Sequence, residues 1–267
     1  MSFATHHISN TPVRVVPLRV ASSIPSVAPL KAQCSSCHLR ELCLPCGLTD
    51  LDVDRLDGLD FSRRRLKAGQ TLYRGGDAFR YIYAIRSGTF KSSLTLADGR
   101  EQVGGFHMAG EMVGLDAVAY ARHASDAIAL EDSEICAIPY ALLMEHSVDG
   151  SGLQQALTRL MSREIVREHS LLMLLGSMSA EERLAAFLLN LSLRLKALGY
   201  SSSEFHLRMS RAEIGSYLGL KLETVSRTFS AFAHQGLLEV DKRHIRIVNL
   251  QRLMAAIETT RVEPLAA

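Results

Sequence analysis

The sequence has no tryptophan, and aromatic residues make up only 6% of its 267 positions. It has no apolar run near the roughly 18 residues that a membrane-spanning helix needs, so a soluble, cytoplasmic chain with no membrane role is expected. Acidic residues are missing from positions 1–33, which hold four of the seven prolines and show no periodicity. Such a stretch cannot bury enough apolar surface to fold, and a disordered tail is predicted there. A transit peptide is also acid-poor, but Arg14 and Arg19 are the only arginines here and no amphipathic stripe accompanies them. Cysteine is scarce and odd in number, five in all, which argues against a disulfide framework. No Ser/His/Asp set, paired-carboxylate cleft or phosphate-binding glycine loop is legible, so an enzyme is not expected.

The few cysteines are crowded. Cys34, Cys37, Cys43 and Cys46 fall within thirteen residues, and Cys136 stands alone on a predicted strand just before Pro139. Without a secretory signal, such spacing reads as metal binding in a reducing compartment. Soft thiolates suit iron–sulfur or zinc, and the spacing alone does not choose between them. Charge is uneven as well. Residues 50–150 carry 16 acids against 11 bases, and residues 178–267 carry 12 bases against 9 acids. An acidic middle with a basic C-terminal part suits a sensor joined to a nucleic-acid reader.

The pattern divides the chain into a tail (1–33), a cysteine-rich loop (34–48), a sensor (49–150), a long helix (151–177), a reader (178–250) and a C-terminal helix and tail (251–267). In the sensor, short apolar runs such as Tyr81–Ile85, Phe90–Leu96 and Ser133–Ile138 end at Gly- or Pro-marked turns, which predicts a β-roll or barrel. A helix follows over about Leu153–Leu175. Gln154, Thr158, Met161, Ile165, Glu168, Leu172 and Leu175 alternate at spacings of four and three, a heptad seam suited to a dimer contact. Leu153, Leu157 and Leu160 lie beside that seam and can cover the roll. A second helix is expected over Ala180–Leu198.

A helix-turn-helix pattern occupies Arg211–Phe232, with Ile214, Leu218, Leu220 and Val225 as packing positions and Gly219 at the turn. Leu237–Val248 reads as a hairpin wing with Asp241, Lys242 and Arg243 at its tip. Glu223, Ser226 and Arg227 share one face of the second helix. A glutamate can accept from cytosine N4, an arginine can bond guanine O6 and N7 together, and a serine can touch a base edge. Lys221, Lys242 and Arg243 are expected on phosphates, which position without specifying.

With a cyclic-nucleotide-binding-like roll, a dimer helix and a winged helix-turn-helix in that order, the chain resembles the CRP/FNR family over about residues 34–250. The fold class expected is α+β. Several stretches resemble the FNR branch: Leu39–Pro45, Tyr83–Thr89, Gly105–Leu115, Ala180–Phe187 and Ser210–Arg227. The resemblance implies an oxygen-responsive regulator whose [4Fe–4S] cluster is held by Cys34, Cys37, Cys43 and Cys136, with Cys46 a non-ligand. It implies a homodimer that forms when the cluster is intact, with Met161, Ile165, Glu168 and Leu172 as the switch. Two facing Glu168 carboxylates would oppose pairing. It further implies double-stranded promoter DNA carrying TTGAT-like inverted repeats as target. Arg227 and Glu223 would read the G·C pair and Ser226 the outer T·A position. RNA polymerase would be touched near Ser92–Glu101 and Glu181–Arg183. Two alternatives share this fold. A cyclic-nucleotide-switched regulator would need an Arg-Ser pair opposite Gly110-Glu111, where the chain has His123-Ala124. A zinc- or thiol-redox-switched regulator would use the same cysteines.

Overall fold

A computed structural model describes residues 31–59, 61–95, 98–146 and 152–258. Most of the expected tail lies outside the described residues, but its end is held in place. Lys31 bridges Ser62, and the Ala32 amide donates to the Phe61 carbonyl at 2.9 Å, with Ala32 buried. After the cysteine loop comes helix α1 (Asp50–Gly58). Its N-cap Thr49 accepts from the Asp52 amide, and Asp50 and Asp52 complement the positive end of the helix dipole.

Eight strands form the roll: β1 (Ser62–Leu66), β2 (Thr71–Tyr73), β3 (Tyr81–Ser87), β4 (Thr89–Thr95), β5 (Glu101–Met108), β6 (Met112–Val113), β7 (Asp126–Ala129) and β8 (Ser133–Pro139). They make two four-stranded antiparallel sheets, ordered β1-β8-β3-β6 and β2-β7-β4-β5. The strand predicted over Phe90–Leu96 is observed at Thr89–Thr95, and Leu96 lies outside the described residues. Alternation along β3 and β8 sorts their side chains. Tyr83, Ile85, Ile135 and Ala137 fill the space between the sheets with Phe90 and Val113. Ile82, Ala84, Cys136 and Ile138 join the opposite side, under α1 and the long helix. Both sides of β3 are therefore covered, which explains its continuous apolar run.

Helix α2 (Tyr140–Glu145) leads to α3 (Gly152–Ser177), which is 26 residues long and matches the predicted long helix within two residues at either end. Leu153, Ala156 and Leu157 are buried against the roll, and Leu160 packs beside them, as the sequence pattern predicts. The reader comprises α4 (Ala180–Ala197), β9 (Glu204–His206), α5 (Arg211–Leu218), α6 (Leu222–His234), β10 (Leu238–Asp241), β11 (His244–Ile247) and α7 (Leu250–Glu258). Reciprocal capping boxes start α4 at Ser179/Glu182 and α5 at Ser210/Glu213. The wing is a three-stranded sheet, β10-β11-β9, and not only the hairpin expected. The reader also packs on the roll. Val103, Phe106 and Met108 of β5 belong to one continuous core with Leu184, Leu188, Ile214 and Phe229.

Candidate functional site

The loop at 34–48 is a series of tight turns anchored by its own side chains. The Cys37 amide donates to the Cys34 carbonyl at 3.2 Å, Cys43 to Leu39 at 2.9 Å and Cys46 to Cys43 at 3.0 Å. Leu39, Leu44 and Leu48 are buried. Asp57, at the end of α1, accepts from the amides of Cys34 and Ser35 and from the Ser35 hydroxyl, which ties the start of the loop to that helix. Beneath it, the register sets Cys136 between Arg63 of β1 and Ala84 of β3, on the loop-facing side of the sheet.

The four expected ligands are brought into one electrostatic neighbourhood. Cys34 feels Cys43, Cys136 and Cys37, Cys43 feels Cys136 and Cys37, and Cys136 feels Cys37. Burial pushes the thiols of Cys34 and Cys43 up to about 12 and raises Cys136. As free thiols they stay protonated at neutral pH, and a bound metal would displace those protons. Two cations stand close by. Arg86 Nη1 lies 3.5 Å from Cys37 Sγ and its Nε 3.2 Å from Glu134, and both Arg86 and Arg63 favour the thiolate of Cys136. Arg63 Nε is buried with no hydrogen-bond partner among the described residues.

Among the described residues, no three His, Cys, Asp or Glu side chains converge on a single-ion position. Tetrahedral zinc would draw four sulfurs to about 3.8 Å from one another, given a Zn–S bond of about 2.3 Å. A multi-iron cluster is wider and is held by thiolates further apart. Soft thiol donors, two guanidinium groups to offset negative charge and an orphaned Arg63 N–H are a chemistry that suits an anionic iron–sulfur group. Spacing drew attention to the thiols. Asp57, Arg63 and Arg86 have no sequence signal and emerge only from the fold.

The predicted switch residues share α3. Ile165 and Leu172 are 56% and 65% exposed, with Val166 and Met173 beside them, so an apolar stripe faces outward. Glu168 is exposed within that stripe and Met161 is half-buried. Leu175, the last seam position, is half-buried and turns toward Gly219, whose φ of +63° makes the turn between α5 and α6.

The reader presents its predicted residues as a surface. Val225, Phe229 and Phe232 bury one face of α6, while Glu223, Ser226 and Arg227 are exposed on the other and Lys221 is exposed at its N-cap. Lys242 and Arg243 form the two-residue tip of the wing, with Lys242 at φ +53°. Arg211 was not anticipated. Its guanidinium lies 3.3 Å from the Phe229 ring centroid, and its Nη2 donates to the Lys242 carbonyl at 3.1 Å. It pins the wing to α6, and burial beside Arg243 lowers its pKa to about 10. Two stretches expected to meet RNA polymerase are partly spent inside. Ser93 is buried and Ser92 bonds His107 at 2.9 Å. Arg183 donates to the carbonyls of Leu175, Met178 and Leu218.

His123, Ala124 and Glu111, the positions at issue for a cyclic nucleotide, are each engaged within the protein. His123 is buried and stacks on Tyr73 with ring centroids 3.7 Å apart, and the Ala124 amide is taken by Asp116 at 2.8 Å. Glu111 is engaged by Arg194 at 2.7 Å.

A β-roll sensor joined through a long helix to a winged helix-turn-helix defines a DNA-binding transcription regulator, not an enzyme. The cyclic nucleotide-binding domain family matches residues 63–146, and the Crp-like helix-turn-helix domain family matches residues 182–256. The chain is 48% identical over 231 residues to the transcriptional regulatory protein btr of Bordetella pertussis, covering 86% of this chain and 96% of that protein. It is 42% identical over 228 residues to the fumarate and nitrate reduction regulatory protein of Escherichia coli K12, covering 85% and 91%. Among solved structures, FixK2 from Bradyrhizobium japonicum matches with a TM-score of 0.69 at 32% identity, covering 74% of this chain and 98% of that one. The chain belongs to the CRP/FNR family of transcription regulators. Among its described residues, no helix is long and apolar enough to cross a membrane.

Proposed function

We propose that this regulator is oxygen-responsive and that Cys34, Cys37, Cys43 and Cys136 hold a [4Fe–4S] cluster that licenses DNA binding in the cytoplasm. The supporting observation is that loop thiols and Cys136, from a strand more than ninety residues away, act electrostatically on one another against the face of the roll that α3 covers. When bound, such a cluster supplies an oxygen-labile cross-link between loop and roll. The protein's own residues do the rest. Leu44 and Leu48 pack with Leu153, Ala156 and Leu157, so the loop's conformation bears on α3. Ile165 and Leu172 then pair across a two-fold against the repulsion of two Glu168 carboxylates, a two-state element biased by ligand.

Paired readers present two copies of α6 to inverted TTGAT-like half-sites, with Arg227 and Glu223 on the G·C pair and Ser226 on the outer T·A position. Lys221, Lys242 and Arg243 hold phosphates, and exposed parts of the reader and roll meet RNA polymerase. Anaerobic purification tests the reading. A brown protein with about four irons and four sulfides per chain, bleaching in air, is the expected result. A colourless protein with one zinc, or with reversible thiol oxidation alone, would replace it by the zinc- or thiol-switched reading. The cyclic-nucleotide reading is disfavoured by the engagement of Glu111 with Arg194 and of His123 with Tyr73.

A further inference from the structure

The turn between β5 and β6 touches three elements that the proposed switch must connect. Gly110 has φ +86°, and a Cβ placed on it would stand 2.9 Å from Leu42 Cβ, so the residue before Cys43 rests directly on the turn. Backbone bonds fix the turn to β3. Gly110 donates to Ile85 at 2.8 Å, and Ile85 to Glu111 at 2.9 Å. The Glu111 carboxylate accepts from the Met108 amide of β5 at 3.1 Å and is met there by side chains from two helices. Arg194 of α4 grips it with two bonds, Nε to Oε1 at 2.9 Å and Nη2 to Oε2 at 2.7 Å, and also donates to the Phe106 carbonyl at 2.6 Å. Arg167 of α3 stands 3.7 Å from the same Oε2. Arg167 is the immediate neighbour of Glu168 on the dimer helix. It is also held 3.3 Å from Glu164 and 3.2 Å from the buried His107.

We infer that Glu111 is a positioning residue through which the state of the cysteine loop reaches both the dimer helix and the DNA reader. The inference rests on the proposed role of the cysteine loop. A planar guanidinium held bidentately by a carboxylate fixes orientation as well as distance. A shift of Leu42 against Gly110 moves the carboxylate and with it both arginines. A cavity of about 190 Å³ bordered by Leu42, Gly110, Leu160 and Arg163 gives the turn room for that shift. In this chain the turn between β5 and β6 therefore binds arginines from two other elements.

The test uses full-length protein, loaded anaerobically with iron and sulfide or left metal-free, and reads the ratio of DNA affinities in the two states. Glu111→Gln should take up the same iron and keep the parent's visible spectrum, while the loaded-to-unloaded ratio falls by about tenfold or more. In the metal-free variant, hydrogen exchange should also quicken in β5 and α5, where reader and roll meet. Arg194→Lys keeps the charge without the planar fork and should lower the ratio part of the way, which also serves should the glutamine variant fold poorly. An unchanged ratio, or an equal loss of affinity in both states, would overturn the relay and leave Glu111 a structural ion pair. A parent that takes up no iron would sink the thiol-centre reading and the relay with it. A parent that loads normally beside variants with the full ratio sinks the relay alone.

Discussion

Arg86 Nη1 lies 3.5 Å from the sulfur of Cys37, so a guanidinium on β3 stands directly beside a thiol of the N-terminal loop. The pair bears on how the candidate centre responds to substitution. Single Ser replacements at Cys34, Cys37, Cys43 or Cys136 should abolish iron uptake, because a hard hydroxyl is a poor substitute for a soft thiolate. Cys46→Ser should retain it. Arg86→Leu leaves four thiols but removes a positive charge beside them, so iron should bind and then be lost faster in air. Following the visible absorption after oxygen is admitted reads both expectations. Iron retained by Cys34→Ser and lost by Cys46→Ser would reassign the ligands.

On the reader, base contact and phosphate contact should separate. Arg227→Ala should cost roughly 1–3 kcal/mol at a matched half-site and relax preference at its G·C pair. Lys242→Ala should weaken matched and scrambled DNA alike and flatten the salt dependence. Equal losses on both sequences for Arg227→Ala would remove it from base readout.

Glu168 is exposed on the outward face of α3, between Ile165 and Leu172. Glu168→Ala should give a protein that dimerises in air without iron. Relieving two facing carboxylates can stabilise a helix pair by several kcal/mol. Moving an equilibrium from about 1:99 to 99:1 takes about 5.5 kcal/mol, so one symmetric change supplies much of it. Sedimentation at micromolar concentration is the measurement, and an aerobic variant that stays monomeric would place Glu168 off the interface.

His107 gives the metal-free protein a dependence on pH. Burial lowers its pKa to about 4, with Arg167 and Arg194 acting in the same sense and Glu111 opposing. The folded state binds this proton less readily than the unfolded chain, whose histidine titrates near about 6.5. The stability is therefore complete above about pH 6.5 and declines as pH falls toward about 4, by roughly 3 kcal/mol in all. Glu111, which burial would raise but Arg194 and Arg167 hold low, loses its contribution at still lower pH. Denaturant melts of parent and His107→Gln at several pH values should show a shallower slope between about pH 4 and 6.5 in the variant. Parallel curves would show that His107 can be charged in the fold.

Much of this organisation is written in local patterns. Glycine-marked strands, a heptad and a glycine at the helix-turn-helix corner each act over a few residues, so they can be read along the chain. Strand β9 was missed because three residues with one buried apolar side chain, Phe205, carry no period. Asp57, Arg63, Arg86 and Arg211 look like solvated charges until folding sets them against thiols, amides or an aromatic ring. Arg183 lies in a stretch that reads as outward-facing, yet its side chain closes the carbonyl ends of α3 and α5. Such roles depend on contacts distant in sequence, which local spacing does not encode.

Phe106 belongs to a strand of the roll, yet its ring packs 6.1 Å from Phe187 and 5.3 Å from Tyr217 of the reader. A fragment cut at the start of α4 would carry that apolar surface into water, and the severed roll would be left with the matching bare patch. Each piece would tend to associate with itself through a face that is buried in the intact chain. Calorimetry of the whole protein should accordingly show sensor and reader melting as one cooperative unit.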